Sequence, residues 1–352
     1  MNTWQMLHRN PDLWQRYFVR EKVLRAIRSF FEERNFHEVE TPILIAHPPA
    51  ESYLDVFETT LLDRSRNRQP AYLSTSPEVP LKKLMVAGLG DCYALTKSFR
   101  NMETQGTLHN PEFTILEWYR KGVDYRAIME DCEALLRFIY HRVNGAGQES
   151  TQPITYKQHQ VRLDLPWERL TMVEAFAKWA NINFVDFLDM NHAIAIARQK
   201  GYTVESDTTW EALYNQIFLN EIEPHLGGSR PTILYDFPGS MAALAKRKEA
   251  DPRFAERFEF YIGGLELGDC YSELTDWKEQ QERFENELRE IRKAGKTVYE
   301  YDTDFIEALK VGLPPCSGIA IGVDRLVMLF SGAATIQETL FFPADEMFED
   351  NK

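Results

Sequence analysis

The chain has 352 residues, enough for one large domain or two ordinary ones with a substantial core. Apolar residues at 44% and charged residues at 27% exclude wholesale disorder and low-complexity fibre. The 40 Lys and Arg against 54 Asp and Glu leave a formal charge of −14. That balance argues against extended nucleic-acid binding, whose affinity comes largely from cations on phosphates.

Residues 1–15 contain Trp4, His8, Arg9, Asn10 and Pro11 and no apolar run, so no signal peptide is expected. No stretch approaches the length of a membrane span, and a cytoplasmic location is the expectation. Cys92, Cys132, Cys270 and Cys316 form no CxxC pair, which suggests neither a disulfide framework nor a zinc site.

In chain order, Leu13, Tyr17, Val23, Leu24, Ile27, Phe30 and Phe31 recur at helical spacing and predict a helix over 12–35. The β-rich run 38–45 contains Pro42, so it is an edge strand or a segment that changes direction. Runs 56–62 and 71–75 predict a hairpin around Arg64, Arg66 and Arg68. A short helix is expected over 78–87, strands over 91–100 and 112–119, and a helix over 124–143. Residues 144–165 read as irregular, with Gly145, Gly147 and Pro153, and 166–230 as mainly helical. A strand at 231–237 and strand-like runs around Gly263-Gly264 follow. Charged helices are expected over 276–293 and 303–311, then a strand at 319–321 running through Gly322 into a helix over 323–331. The pattern predicts an α+β fold with antiparallel strands and helices on one side. The expected organisation is one domain over 12–345 with a mainly helical insertion at about 144–230.

Four segments carry chemistry: Ser74-Thr75-Ser76-Pro77-Glu78; Phe99-Arg100-Asn101-Met102-Glu103 with His109-Asn110-Pro111-Glu112-Phe113 and Glu117-Trp118-Tyr119; Glu259 and Glu266 with Asp269-Cys270-Tyr271-Ser272-Glu273; and Gly318 to Arg325. The second resembles motif 2 of class II aminoacyl-tRNA synthetases and the fourth their motif 3, with Pro42 where the motif 1 proline stands. The wording resembles the lysyl branch, from about Glu21 to Phe342. About forty residues precede motif 1, too few for an anticodon-binding β-barrel. The chain therefore resembles the elongation factor P (R)-β-lysine ligase family, the lysyl-tRNA synthetase paralogue without that barrel.

This resemblance implies the class II catalytic core, an antiparallel sheet flanked by helices, and a homodimer through motif 1. It implies ATP-dependent activation of (R)-β-lysine or lysine and transfer to a lysine of elongation factor P. Arg100 is then the catalytic residue, bridging the attacking carboxylate and the α-phosphate, because a guanidinium binds planar oxyanions bidentately. Phe113 and Arg325 sandwich adenine. Asn101, Glu103, Asn110 and Leu267 are assigned to ATP, and His109 to a phosphate. Gly322 allows the backbone close to the nucleotide. Glu259 and Glu266 hold Mg²⁺ with the phosphates. Ser76, Pro77, Glu78, Glu117, Tyr119, Asp269, Glu273 and Ala320 line the amino-acid pocket, with Tyr119 and Glu273 on the side-chain amine.

Two features depart from the family. Arg-Asn-Glu is interrupted by Met102, and the loop to His109 is one residue longer. Asp269-Cys270-Tyr271 replaces Asn-Gly-Phe, and the Asn helps bind the substrate carboxylate. An ionised Asp only accepts hydrogen bonds and repels a carboxylate, so Asp269 either alters the substrate or faces an amine. The alternatives are the same chemistry with another amino acid or a tRNA acceptor, and a catalytically weak protein that binds ATP or amino acid.

Overall fold

A computed structural model describes residues 2–103, 106–145, 152–242 and 244–348. Gly147 and residues 104 and 105 of the loop before His109 lie outside the described residues.

The long helix is Trp14–Glu32, entered through a 3-10 turn at Pro11–Leu13. A first helix, Thr3–Arg9, was not expected. Its anchor is distant, since the Thr3 N–H and hydroxyl both donate to Glu346, at 2.7 and 2.6 Å. β1 (His37–Glu38) is an edge strand, and the chain then leaves through Pro42 to a separate three-stranded sheet. That sheet comprises β2 (Leu44–Ile45), β3 (Glu58–Leu62) and β4 (Arg68–Leu73), ordered β2-β4-β3. Helix Glu78–Val86 precedes the long hairpin of β5 (Cys92–Phe99) and β6 (Glu112–Lys121). Asp124 then caps helix Tyr125–Asn144 by accepting the Arg126 N–H at 3.0 Å.

Residues 152–171 are more regular than their sequence suggested. β7 (Ile154–Tyr156) and β8 (His159–Val161) pair as a hairpin, and β9 (Glu168–Thr171) joins the large sheet. Strands of three or four residues are too short to show a period of two. Short helices fill the stretch to His225. β10 (Thr232–Pro238), β11 (Phe254–Ile262) and β12 (Leu265–Ser272) then form a meander. Gly263 and Gly264 both have positive φ at the β11–β12 turn, as a tight hairpin requires. Helices Trp277–Lys293 and Thr303–Gly312 lead to β13 (Cys316–Gly322), which runs directly into helix Val323–Ser331.

The large sheet has the order β1-β5-β6-β13-β12-β11-β10-β9. All its pairs are antiparallel except the two at its edges, β1–β5 and β9–β10. The expected α+β class holds, but helices on one side do not. Leu116, Trp118, Ile319 and Phe258 pack with helices Trp14–Glu32, Tyr125–Asn144 and Val323–Ser331. Cys92, Ala94, Tyr119 and Cys316 point the other way and pack with helices Glu78–Val86, Trp277–Lys293 and Thr303–Gly312. Both faces of these strands carry apolar residues at this end, so both must be covered. No helix among the described residues is long and apolar enough to cross a membrane.

Candidate active site

Strand alternation gives the sheet a polar floor on the face away from the main core. Glu259, Asp269, Ala320, Glu117 and Ala94 stand side by side across β11, β12, β13, β6 and β5. The adjacent same-face row is Arg257, Tyr271, Gly318, Tyr119 and Cys92. Glycine is required in that row. A Cβ on Gly318 would lie 2.2 Å from the Tyr119 ring.

At the β6 end the floor meets the start of helix Glu78–Val86, and four ionisable groups converge. Glu117 accepts from the Ser76 hydroxyl at 2.6 Å and the Tyr119 hydroxyl at 3.2 Å. Ser76 also accepts the Glu78 N–H at 3.0 Å, and buried Pro77 sets the helix start. Glu78 and Glu273 both pair with Lys82, whose side chain is only 1% exposed. The charges shift one another. Burial, then the neighbouring Glu78, pushes the Glu117 carboxyl up to about 8. Burial pushes Glu273 up to about 7 against the opposing pull of Lys82. Burial works against the Lys82 ammonium, but Glu273 and Glu78 outweigh it and its pKa is raised.

In the middle, Arg257 straddles two acids. It donates to Asp269 at 3.0 Å, to Glu259 at 2.7 Å and to the Met241 carbonyl at 2.7 Å. Asp269 also accepts from the Tyr271 hydroxyl at 2.7 Å, and Glu259 from the Tyr261 hydroxyl at 2.5 Å. Both carboxylates are therefore engaged from within the chain. Asp269 faces the Arg257 guanidinium.

The other end is built from the β5–β6 connection and the start of helix Val323–Ser331. The Arg100 guanidinium lies 5.2 Å from the Phe113 ring centroid, and its Nε is buried without a hydrogen-bond partner among the described residues. Arg325 donates to the Glu266 carbonyl at 2.9 Å and meets His109 Nε2 at 2.8 Å. Surrounding protein and Arg325 hold the His109 pKa below its ordinary value, with Glu103 opposing. The helix start is fixed by its next-door residue. Buried Asp324 pairs with Arg20 and accepts the Thr114 N–H at 2.7 Å, which ties β6 to two helices.

Several residues assigned to ATP have partners within the chain or point inward. Both ends of the Asn110 amide are used, donating to the Glu112 carbonyl at 2.6 Å and accepting from Ala344 N–H at 3.0 Å. Asn101 accepts the Met102 N–H at 2.9 Å. Leu267 is buried in the main core, so only its backbone faces the floor. Gly322 has an ordinary φ of −71°, and a Cβ there would meet only the Arg325 stem, at 3.8 Å. Among the described residues nothing demands a glycine at that position. Met102, the extra residue, takes a left-handed φ of 64° and is 75% exposed. Met102 thus forms an outward kink two residues after Arg100.

Glu259 and Glu266 fit a divalent cation shared with substrate phosphates, the usual arrangement for Mg²⁺. Burial raises the Glu259 pKa to about 8 despite Arg257, with Glu266 and Asp269 adding to the rise. A cation beside Glu259 would favour its charged form. Among the described residues no group of three or more His, Cys, Asp or Glu forms a metal site by itself. Any cation held here needs oxygens from elsewhere.

The sequence matches the family of tRNA synthetases class II (D, K and N) over residues 2–346. The chain belongs to that family. It is 34% identical to the lysine–tRNA ligase of Carboxydothermus hydrogenoformans over 95% of this chain and 66% of that protein. It is 36% identical to the heat-inducible lysine–tRNA ligase of Escherichia coli K12, over 95% of this chain and 64% of that one. The chain thus spans 64–66% of the length of these relatives.

The segment that resembles motif 2 forms the β5–β6 hairpin, and the one that resembles motif 3 forms β13 with its helix. Three charged residues escaped the sequence reading, and two had a usable signal. Lys82 is four residues after Glu78, hence on the same helix face. Arg257 is two residues before Glu259, hence on the same strand face. The third, Glu51, comes from the irregular segment before β3. Burial, then Glu78, raises its pKa to about 7, with Arg100 opposing.

Proposed function

We propose that this chain condenses lysine, as the α or the (R)-β form, with ATP to an aminoacyl-adenylate and transfers the aminoacyl group to a lysine side chain of elongation factor P. The observation that carries the first half is the distribution of charge along one floor. Buried carboxylates gather at Glu78, Glu117 and Glu273, suited to ammonium groups, and Arg100 stands at the other end with an unspent buried N–H. An amino acid with two amines and one carboxylate matches that polarity.

In this reading Arg100 holds the attacking carboxylate in line and stabilises charge on the α-phosphate. Phe113 and Arg325 enclose the adenine, and His109 sits near phosphate. Glu103 and the Leu267 backbone contact the nucleotide. Glu259 and Glu266 hold Mg²⁺, which supplies charge neutralisation of the phosphates when bound. Tyr119 and Glu273 face the side-chain amine and Glu78 and Glu117 the other, with Ala320 forming the wall between. The internal partners of Asn101 and Asn110 favour positioning roles for them. Asp269 acts through Arg257. A homodimer and a single catalytic domain over 12–345 complete the proposal.

Transfer to tRNA is a second reading, favoured by the relatives named lysine–tRNA ligase. The net charge of −14 favours a protein acceptor instead. Labelled lysine or (R)-β-lysine, with ATP and either acceptor, separates the two. Label fixed in elongation factor P is expected, and label fixed only in tRNA overturns the acceptor.

A further inference from the structure

Lys82 lies among the groups assigned to substrate amines, yet it is itself an amine. Its ammonium pairs with Glu78 from its own helix and with Glu273 beyond β12, at 2.5 Å for the latter. From β6 the Tyr119 ring centroid lies 5.8 Å away and Glu117 acts on it electrostatically. From β13 the Cys316 thiol faces the same cluster. Glu51 and Asp269 act on it at longer range, through Glu78 and Glu273. The Lys82 side chain is 1% exposed and those of Glu78 and Glu273 9% and 1%, so no solvent screens these charges. The neighbouring Lys83 is a contrast. It is 27% exposed and pairs with Asp302 and Asp304 at the periphery.

Buried like charges resist ionising together, and an opposite charge within hydrogen-bonding distance lets them. Three carboxylates and one ammonium leave a formal charge of −2. We infer that Lys82 is a positioning residue for amino-acid recognition: its ammonium orients Glu78 and Glu273 and favours their charged form, so that the pocket selects a ligand bearing two ammonium groups. The inference rests on the adenylation reading only for where the amino acid sits.

The lysine end has its own consequence for specificity. A ligand with one ammonium leaves one buried negative charge unmatched. Norleucine, which has the length of lysine without the terminal amine, is the probe for this. Without Lys82 the carboxylates take up protons, which the ligand must displace. Lysine then binds only where pH is high enough to ionise them.

The test is calorimetric binding of L-lysine and norleucine between pH 6 and 8.5, on the whole chain. Wild type is expected to bind lysine at least about tenfold tighter than norleucine. In Lys82→Met the pH at which lysine affinity is half developed is expected to rise by about one unit, weakening binding about tenfold at pH 7. Lys82→Arg, which keeps the charge, restores the wild-type midpoint, and ATP affinity is unmoved in all variants. Lys82→Gln keeps an N–H donor beside the carboxylates without the charge, so it tests the same shift should the methionine variant not fold. A loss of lysine affinity equal at every pH, or equal affinity for norleucine and lysine in wild type, overturns the inference. Lysine binding with the expected shift but no ATP–pyrophosphate exchange leaves the inference standing and removes the adenylation reading.

Discussion

The two ends of the floor are built on different principles. At the end proposed for the amines, Glu78, Glu117, Glu273 and Lys82 are all buried, with Lys82 paired to Glu78 and Glu273 and Glu117 held by Ser76 and Tyr119. At the end proposed for the nucleotide, His109 and Met102 are exposed, the chain kinks at Met102, and the buried Arg100 Nε lacks a partner among the described residues. The amine end is preorganised by its own charges and tuned by desolvation. The nucleotide end is held in outline by Arg325 and Asp324 and has unspent donors for a ligand. Preorganisation suits discrimination between similar small amines, because a buried charge left unpaired is costly. In the proposed reaction, openness suits a substrate that brings its own charge and leaves as pyrophosphate.

The sharpest way to break this contrast is Arg100→Ala. Arg100 spends little on the fold, so the melting temperature should hold while exchange activity falls by about 10³-fold or more. A large loss of stability would make Arg100 part of the scaffold instead. Next in size is Gly318→Ala. A methyl group 2.2 Å from the Tyr119 ring must displace it, costing about 1–3 kcal/mol by overpacking. Thermal melting and the lysine KM should worsen together, with the ATP KM unchanged.

Stability against pH gives an effect of intermediate size. Glu117 and Glu273 have folded-state values of about 8 and 7, above their ordinary range. The folded state therefore holds protons that the unfolded state releases above about pH 4.3. Their contribution to stability is present below that pH and is lost as pH rises through 7 and 8. The ligand-free protein should melt higher at pH 6 than at pH 8.5. Lysine should narrow the difference, because its ammonium groups favour the ionised carboxylates.

Asp269→Asn should cost about 1 kcal/mol in stability, since Arg257 keeps Glu259 and the Met241 carbonyl. Lysine use should change only modestly if Asp269 acts through Arg257, and a change of specificity to another amino acid would place it in direct contact with substrate. Gly322→Ala is the smallest expected effect. Stability should move by less than about 0.5 kcal/mol, because the site has room and φ is ordinary. A raised ATP KM in that variant would assign the glycine to the nucleotide.

Much of this was legible where chemistry and local pattern coincide. Helix Val323–Ser331 begins and ends where the sequence placed it, after a strand and before Gly332. The β5–β6 hairpin and the Gly263-Gly264 turn were equally plain. What escaped depends on long-range partners. Thr3 needs Glu346 to hold the first helix, and β9 needs β10 to be a strand. Lys82 and Lys83 are adjacent and look alike, yet helix phase buries one and exposes the other. Arg257 read as an unremarked charge because its worth lies in Asp269, twelve residues away across a hairpin.

The most direct measurement is amino-acid-dependent ATP–pyrophosphate exchange, run with (R)-β-lysine, α-lysine and a panel of other amino acids on wild type and Arg100→Ala. Exchange with one of the two lysines foremost, abolished by the substitution, is the expected result. Folded protein that binds ATP but exchanges with no amino acid would contradict the account, and so would exchange that survives the loss of Arg100.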